Sequence, residues 1–494
     1  MRASALLRAA ATEPCHPWPR HVLSREDWTQ MAAALGDEPT LALLGLWADT
    51  IQVHALLLDE AAGDVLLAST TVVAGGYPAL SPTRPLAAWF ERMVRDLFGH
   101  TAVGGTDQRA WLDHGHWSHT QPMAPRPGPP GGSPEPPEFL PVEGEDLHQV
   151  PLGPIRGCIE PAGHLRVTGL GETIIRLETR LGYTHKGTLS LMRGKSPRTA
   201  ARFAARLSGT ATVAHGIAFA RSTEAALMIE APPRAASLRA VMAEMERITG
   251  HLGDLRAVSE AAGLAIPAAR SAWHAEALHR AAGVAFGHRL MMDCVVPGGV
   301  AADIAPGGPE AVRRALADLA DELPKLRQLH DRQSLAGIGT IPASLATMFA
   351  AGGPIGRAAG RDFDARRSPG YAPYGSLAIP VLTEGDADTR TRLRLAEIAE
   401  SIRVLRSLLD TLPAGAVSVA LPADSGEGVG FAEGYHGDIW YWLRLDHGQI
   451  ASMFPRDPAW AHWPLLELAA KGAQASDLPL IQASLGLASS GVDL

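Results

Sequence analysis

Between Glu178 and His215 the chain contains the stretch ETRLGYTHKGTLSLMRGKSPRTAARFAARLSGTATVAH. Alternating apolar and polar side chains before and at its start predict a strand that ends near Arg180, and a Tyr-Thr-His-Lys-Gly turn follows. The small and apolar residues at 200–228 predict a long helix that is buried on most sides. We therefore expect a strand–turn–helix unit bracketed by two histidines, His185 and His215.

Composition and charge limit the classes of partner. The 494 residues are enough for two or three domains with a substantial core. The net charge of −8 and the pI near 6.2 argue against nucleic-acid binding, which requires a basic surface. No apolar run approaches the length of a membrane span, and the N-terminus lacks the pattern of a signal peptide. We expect any membrane attachment to go through partner subunits.

The three cysteines, Cys15, Cys158 and Cys294, lie far apart and none is part of a Cys-x-x-Cys pair. This spacing excludes a four-cysteine zinc or iron–sulfur site within the chain. It also argues against a disulfide framework and favours a reducing, cytoplasmic compartment.

Residues 1–118 are predicted to form a small α/β module. Apolar, β-leaning segments at 41–47, 51–58 and 64–71 precede a helical pattern at 85–98. Eight prolines then interrupt residues 119–139, where the fixed proline φ and the missing donors favour an extended linker. The sequence therefore predicts a domain boundary at this linker.

Residues 140–494 are predicted to form a mainly helical bundle flanked by strands. The pattern predicts a β-hairpin at 165–168 and 173–180, and a C-terminal antiparallel meander at 430–433, 438–445 and 449–454. Helices are predicted at 237–262, with Ser237 as N-cap, and at 265–292, 309–332 and 388–412. With the N-terminal module, this gives an α+β fold class.

The opening stretch, together with GEGVGFAEGYHGDIWYWLRL at 426–445 and DLPLIQASLGLASSGVDL at 477–494, resembles a known family. This family contains the large subunit of nickel–iron hydrogenases and the quinone-side, 49 kDa-type subunit of complex I. The resemblance is strongest to energy-converting hydrogenases of the hydrogenase-4 and formate hydrogenlyase type. ERMVRDLFG at 91–99 and DQRAWLDHGHW at 107–117 also resemble the 30 kDa-type subunit of complex I.

The resemblance implies that the metal ligands of the hydrogenases are missing. The family places a Cys-x-x-Cys pair after an arginine that corresponds to Arg206, and these positions hold Ser208 and Ala211. A second pair near the C-terminus corresponds to Ala488 and Gly491. The carboxylate that serves proton delivery in the family is replaced by Leu189. Because a nickel–iron centre needs thiolates, an active hydrogenase is the least supported function.

In the complex I relative the same cavity receives a quinone, held by a tyrosine and a histidine. The tyrosine position holds Gly209 here, whereas the histidine position is filled by His164, with Arg156 in a competing register. The resulting candidate cavity and quinone-binding residues are His164, His185, Arg206, Ser208, His215, His251 and Asp254.

Structural roles remain open for several of these residues. The histidines could be hydrogen-bonded core residues, and Arg206 could pair with Glu178 or Asp254. Arg289 could likewise have a structural role, as the partner of Asp293. Cys158 falls near the cavity in the family frame, where we expect an inert thiol.

The resemblance implies a subunit of a membrane-associated, complex I-like oxidoreductase. Electrons would come from the iron–sulfur cluster of a small partner subunit and pass to a quinone-like acceptor, coupled to ion transport by antiporter-like membrane subunits. The chain would bind no cofactor of its own, apart from a possible quinone, and would lie on the inner face of the cell membrane in a hetero-oligomer. The alternative is a redox-silent structural or coupling subunit.

Overall fold

A computed structural model describes residues 2–132, 138–156, 162–332 and 335–494. Its described residues are 42% helix and 19% strand, arranged with several small sheets and no closed barrel. The predicted α+β class is thereby confirmed. Cys158 and residues 133–137 of the proline-rich segment lie outside the described residues, and the described part of that segment contains no helix or strand.

The N-terminal region is built on a five-stranded sheet whose order is β1-β2-β5-β4-β3. Its strands are β1 (Ala11–Glu13), β2 (Arg20–Leu23), β3 (Leu41–Ala48), β4 (Gln52–Asp59) and β5 (Asp64–Thr71). The predicted strand segments are present as β3, β4 and β5, which form an antiparallel meander, and β2 joins it parallel to β5. Helices α1 (Ala3–Ala9), α2 (Arg25–Ala34) and α3 (Ala87–Phe98) accompany the sheet, and β6 (Gly76–Pro78) pairs with β7 (Thr101–Val103).

A three-stranded sheet follows the proline-rich segment. It consists of β8 (Leu147–Leu152), β9 (His164–Leu170) and β10 (Thr173–Arg180), in the order β10-β9-β8. The β9–β10 hairpin is as predicted, whereas β8 was not expected because its side chains are largely exposed and carry no apolar alternation. This sheet places Arg156 and Gly163 at the edge of the helical region.

The remaining elements alternate between helices and short strands. The α-helices are α4 (Thr188–Met192), α5 (Pro197–Ala204), α6 (Thr212–Ala226), α7 (Pro233–Ala261), α8 (Ala265–Phe286), α9 (Gly308–His330), α10 (Ala343–Met348), α11 (Gly353–Ala358), α12 (Ala387–Asp410), α13 (Ala459–Ala469), α14 (Leu478–Leu485) and α15 (Ser490–Asp493). The strands are β11 (Val295–Val296), β12 (Gly299–Val300), β13 (Gly426–Gly434), β14 (Gly437–Asp446) and β15 (Gln449–Arg456). Helix α7 is central, since it packs against α8, α12 and α14.

The structure corrects three helix predictions. The helix expected at 265–292 ends at Phe286, because Gly287 follows it in the left-handed conformation. The expected helix at 200–228 is broken between α5 and α6, because the N–H groups of Val213 and Ala214 are capped by the Glu246 carboxylate at 2.7 and 3.0 Å. Helix α7 begins at Pro233 and not at Ser237, since proline suits the first turn, where no intrahelical donor is needed.

The predicted C-terminal meander is present as β13, β14 and β15. It packs between helix α6 and the N-terminal sheet. Helix α6 approaches β13 so closely that a Cβ at Gly430 would lie 2.1 Å from the Ser222 nitrogen. The N-terminal sheet packs on the other side, where the Trp47 and Phe454 rings stack at 5.2 Å. The Arg20 Nε donates to Glu427 at 2.8 Å. The N-terminal module therefore shares a core with the C-terminal strands.

Within the described ranges, none of the helices combines the length and the apolar character that crossing a membrane requires.

Candidate functional site

Three of the four positions that the resemblance predicts to be metal-ligand positions surround one small cavity. Ser208 and Ala211 precede α6, and Ala488 lies opposite them in the segment between α14 and α15. The cavity has a volume of about 20 Å³, which is room for roughly one water molecule. Asp457 and His462 also line this cavity. None of these side chains offers a thiolate, so the residues present do not fit a nickel–iron centre.

Asp457 links the small cavity to two residues that do not line it, His215 and Tyr441. Its carboxylate accepts a hydrogen bond from the His215 Nε2 at 2.9 Å, while the His215 Nδ1 lies 3.0 Å from the Tyr441 hydroxyl. Burial alone would raise the pKa of Asp457, but the bond from His215 lowers it below its usual value. Gly491 packs against the same carboxyl group. His215 is therefore a fully bonded core histidine.

A larger, open cavity adjoins the small one and has a volume of about 440 Å³. The two share the wall formed by Thr210, His436 and residues 486–488. The larger cavity also reaches Arg156 and Gly163 at the edge of the hairpin sheet, and Trp463 on α13. Its size lies within the range of small-molecule sites.

Asp254 on α7 is the charged centre of the larger cavity. One of its oxygens accepts hydrogen bonds from the His436 Nε2 and from the Arg394 Nε, both at 2.9 Å. Burial would raise the pKa of Asp254, but His436 and Arg394 hold it well below its usual range. The carboxylate is thus ionised, and His436 presents a bonded imidazole on the cavity wall.

His251 lies one turn before Asp254 but does not line either cavity. Its Nε2 donates to Glu397 at 3.1 Å, and burial lowers its pKa. Glu397 also binds Arg357, whose guanidinium lies 3.4 Å from both Asp364 and Glu433. His251 is therefore part of a buried ionic cluster behind the cavity.

His164 begins β9, next to Gly163 on the cavity edge. Its ring packs edge-on against Phe139 at 4.6 Å, and its Nε2 has no hydrogen-bond partner among the described residues. Burial and the nearby charges of Arg166 and Arg180 lower its pKa. His164 is consequently beside the cavity, and is not part of its wall.

His185 and Lys186 hold the C-terminal segment and do not line the cavities. The His185 Nδ1 lies 2.7 Å from the Asp493 carbonyl oxygen, and the Lys186 Nζ donates to the Ser490 carbonyl at 2.7 Å. The Gly182 nitrogen adds a hydrogen bond to the Asp493 carboxylate at 2.8 Å. The Tyr-Thr-His-Lys-Gly turn is therefore a clamp for residues 490–494, which follow the cavity wall.

Arg206 also lies outside the cavities, and both partners expected for it are wrong. Its half-exposed guanidinium makes a bidentate pair with Asp293, at 2.5 and 2.8 Å. Arg289 cannot share this partner and instead donates to Glu276 at 2.6 Å. Of the seven candidates, Ser208 and Asp254 line the cavities, whereas the others support them or lie elsewhere.

Sequence reasoning missed four residues that form the cavity walls: His436, Asp457, His462 and Trp463. His436 follows Tyr435 in the turn after β13, and a histidine in a turn was the available signal. The other three lie around the start of α13, in a run that reads as an ordinary apolar helix. Among the described residues, no group of three or more His, Cys, Asp or Glu side chains is arranged to hold a metal ion.

Two family models match the chain. The model described as "Respiratory-chain NADH dehydrogenase, 49 Kd subunit" matches residues 272–427, and that of "Nickel-dependent hydrogenase" matches residues 186–254. The first match covers α9, α12 and the start of β13, and the second covers the turn, α6 and most of α7 up to Asp254.

Curated relatives extend the similarity over most of the chain. Formate hydrogenlyase subunit 5 of Escherichia coli (strain K12) is 30% identical over 432 residues, which cover 83% of this chain and 75% of the relative. Hydrogenase-4 component G of the same organism is 28% identical over 431 residues, covering 83% and 74%. An NADH-quinone oxidoreductase subunit of Acidiphilium cryptum (strain JF-5) is 30% identical over 285 residues, covering 56% and 70%.

A solved structure has the same fold. A chain of the membrane-bound sulfane sulfur reductase, described as an archaeal respiratory membrane complex, superposes with a TM-score of 0.67 and 25% identity. The match covers 72% of this chain and all of that chain. With the identity and coverage of the formate hydrogenlyase subunit, it assigns the fold and the family together. The chain belongs to the superfamily of the complex I 49 kDa subunit and the nickel–iron hydrogenase large subunit.

Proposed function

We propose that this chain is a subunit of a membrane-attached, complex I-like oxidoreductase, in which its larger cavity receives a small, quinone-like electron acceptor. The observation that carries the proposal is the open cavity of about 440 Å³ that places the Asp254–His436 pair opposite apolar side chains. Relatives of the chain are subunits of membrane-bound hydrogenases and of complex I-like complexes, which supports membrane-subunit partners and a peripheral position.

The walls of the cavity suit a flat ring with polar oxygens. Trp463, Leu181 and Leu487 supply apolar surface, while His436 supplies a ring nitrogen that already donates to Asp254. Reduction of a quinone to a quinol consumes two electrons and two protons. Electrons would come from the iron–sulfur cluster of a partner subunit, and His436 would hold one proton near the acceptor oxygen. Arg394 would help to keep Asp254 ionised as the partner of His436, and the second proton would come from water in the open cavity.

The proposal includes the absence of nickel. The four positions that would carry thiolates hold Ser208, Ala211, Ala488 and Gly491. Elemental analysis of the purified complex should therefore find no nickel above background. A stoichiometric nickel signal would reject the proposal.

The acceptor is tested by titrating the assembled complex with ubiquinone-1. We expect saturable binding that weakens at least tenfold in His436→Gln and in Asp254→Asn. His447→Gln is the matched control, because this histidine is exposed in the turn after β14. Binding that survives both cavity substitutions would contradict the proposed site, as would equal losses in the control.

One observation favours a second candidate, a redox-silent coupling subunit. The small cavity between the former ligand positions is nearly filled, since His462 and Asp457 occupy the space beside Ser208. A complex that assembles fully, binds neither ubiquinone-1 nor a polysulfide, and keeps its ion-transport activity in His436→Gln would support this second function. The two candidates thus differ in acceptor binding and not in assembly.

A further inference from the structure

A separate cavity lies between α6, α7 and β13, on a different face from the candidate site. Its volume is about 390 Å³, again within the range of small-molecule sites. Among the described residues, its lining shares no member with either cavity of the candidate site. Three aromatic rings, those of Tyr371, Tyr374 and Phe431, form much of its wall.

Two arginines line this cavity: Arg239, which is paired with Glu224, and Arg221 on α6, which no acid pairs among the described residues. The Arg221 guanidinium lies 4.6 Å from the ring centroid of Tyr371 and 4.8 Å from that of Phe431, and the two rings are nearly perpendicular at 85°. The Arg221 Nε is buried without a hydrogen-bond partner, and the described residues provide no ion pair for this side chain. Arg221 therefore has aromatic faces around it but lacks an acceptor for its N–H groups.

The nearest acid cannot supply that acceptor. Glu224, one turn later on α6, is engaged by Arg239 at 2.5 and 3.1 Å and by the Gly298 nitrogen at 2.8 Å. The Arg221 side chain is partly exposed, but its Nε is buried without an acceptor, and cation–π contacts offset only part of the cost of that unpaired donor. An anion in the cavity would supply the acceptor that the surrounding side chains do not provide.

We propose that this cavity binds a small monocarboxylate with a flat apolar body. The carboxylate pairs with Arg221, and the body lies against the aromatic wall. Tyr374 is fixed there, because its hydroxyl donates to the buried Glu244 at 2.7 Å. The exposed acid Glu230 at the rim disfavours a second negative charge on the ligand, so one negative charge is favoured over two.

The test compares sodium benzoate with benzamide, a neutral ligand of the same shape, on the full chain at constant ionic strength. By isothermal titration calorimetry, benzoate should bind saturably and benzamide at least tenfold more weakly. Arg221→Gln should lower the affinity for benzoate at least tenfold. Arg280→Gln, which removes an exposed arginine on α8, should leave that affinity unchanged.

Two outcomes would overturn the proposal: equal affinities for benzoate and benzamide in the unmodified chain, or unchanged benzoate binding in Arg221→Gln. Ala236→Phe provides a second variant should the arginine substitution fail to fold. It narrows the cavity from the half-exposed first turn of α7 and leaves the Arg221 charge in place. Loss of benzoate binding in this variant supports the site, and retention contradicts it. Neither outcome depends on quinone binding at the candidate site.

Discussion

A methyl group built on Gly491 would come within 2.3 Å of the Asp457 carboxyl carbon and within 2.5 Å of its Cβ. Asp457 cannot move aside freely, because it is held by His215 at 2.9 Å and by the Ala459 nitrogen at 2.7 Å. Position 491, where the resemblance predicts a metal-binding cysteine in the hydrogenases, therefore has no room for any side chain. Restoring a thiolate there would require the neighbouring strand end to be rebuilt.

This contact predicts a cost for Gly491→Ala. Displacing Asp457 should destabilise the fold by about 1–3 kcal/mol, as overpacking does. Gly253→Ala is the matched control, because a Cβ at Gly253 meets nothing within 4 Å inside α7 and should stabilise by about 0.5–1 kcal/mol. Urea unfolding of both variants checks the difference. Equal stability of the two variants would contradict the contact.

His462 predicts a loss of stability in acid. Burial, followed by the charges of His436 and Arg456, lowers its pKa to about 3. Below its ordinary value of 6.5 the unfolded chain takes up a proton that the folded chain refuses, so this contribution to stability falls as pH falls from 6.5 towards 3. His462→Gln should flatten the dependence of the unfolding free energy on pH in that window. His447→Gln, at an exposed position, should leave this pH dependence unchanged. If the unfolding free energies of His462→Gln and of the unmodified chain change in parallel with pH, the prediction is wrong.

Glu246 predicts the opposite slope in an overlapping window. Burial raises its pKa to about 7 from the ordinary 4.5, although the backbone donors of Val213 and Ala214 oppose the shift. The folded chain then retains a proton that the unfolded chain has lost, so stability falls as pH rises from 4.5 to 7. Glu246→Gln should remove this fall, measured as the difference in unfolding free energy between pH 5 and pH 7 (roughly the span of the two pKa values). If Glu246→Gln and the unmodified chain differ in unfolding free energy by the same amount at pH 5 and at pH 7, the prediction is wrong.

Arg357 predicts a large effect on stability, although it lines neither cavity of the candidate site. Its side chain is fully buried among Asp364, Glu397 and Glu433. Arg357→Met leaves these carboxylates without their shared cation and should cost about 3–5 kcal/mol in denaturant unfolding. The exposed Arg280→Met should change stability by less than about 0.5 kcal/mol. A cost for Arg357→Met as small as that of the control would show that the cluster does not need its cation.

The sequence predicts those strands and helices whose hydrophobic pattern repeats over a few neighbouring residues. The antiparallel strands β13 to β15 and the β9–β10 hairpin follow from alternation and turn residues alone, and the amphipathic pattern located α9 and α12 to within two residues. The break between α5 and α6 was hidden, because alanine and arginine favour a helix throughout and the cap that ends it comes from Glu246 on another helix.

The candidate site was less predictable, because its contacts join residues that lie far apart in the sequence. Arg206 and Asp293 are 87 residues apart, so no pattern could have selected this pairing over Glu178 or Asp254. The resemblance to the family supplied Ser208, Ala211 and Ala488, which do meet around one cavity. It did not supply His436, whose role depends on a turn that the fold brings to Asp254.

The clamp between the Tyr-Thr-His-Lys-Gly turn and residues 490–494 has a consequence for biosynthesis. Residues 486–488 complete both cavities of the candidate site, and the clamp that fixes them engages a segment that is synthesised after all the other walls. Until that segment docks, this wall is missing from both cavities. Any assembly factor or acceptor that enters the cavities from this side has its widest access then, before the tail docks and closes them.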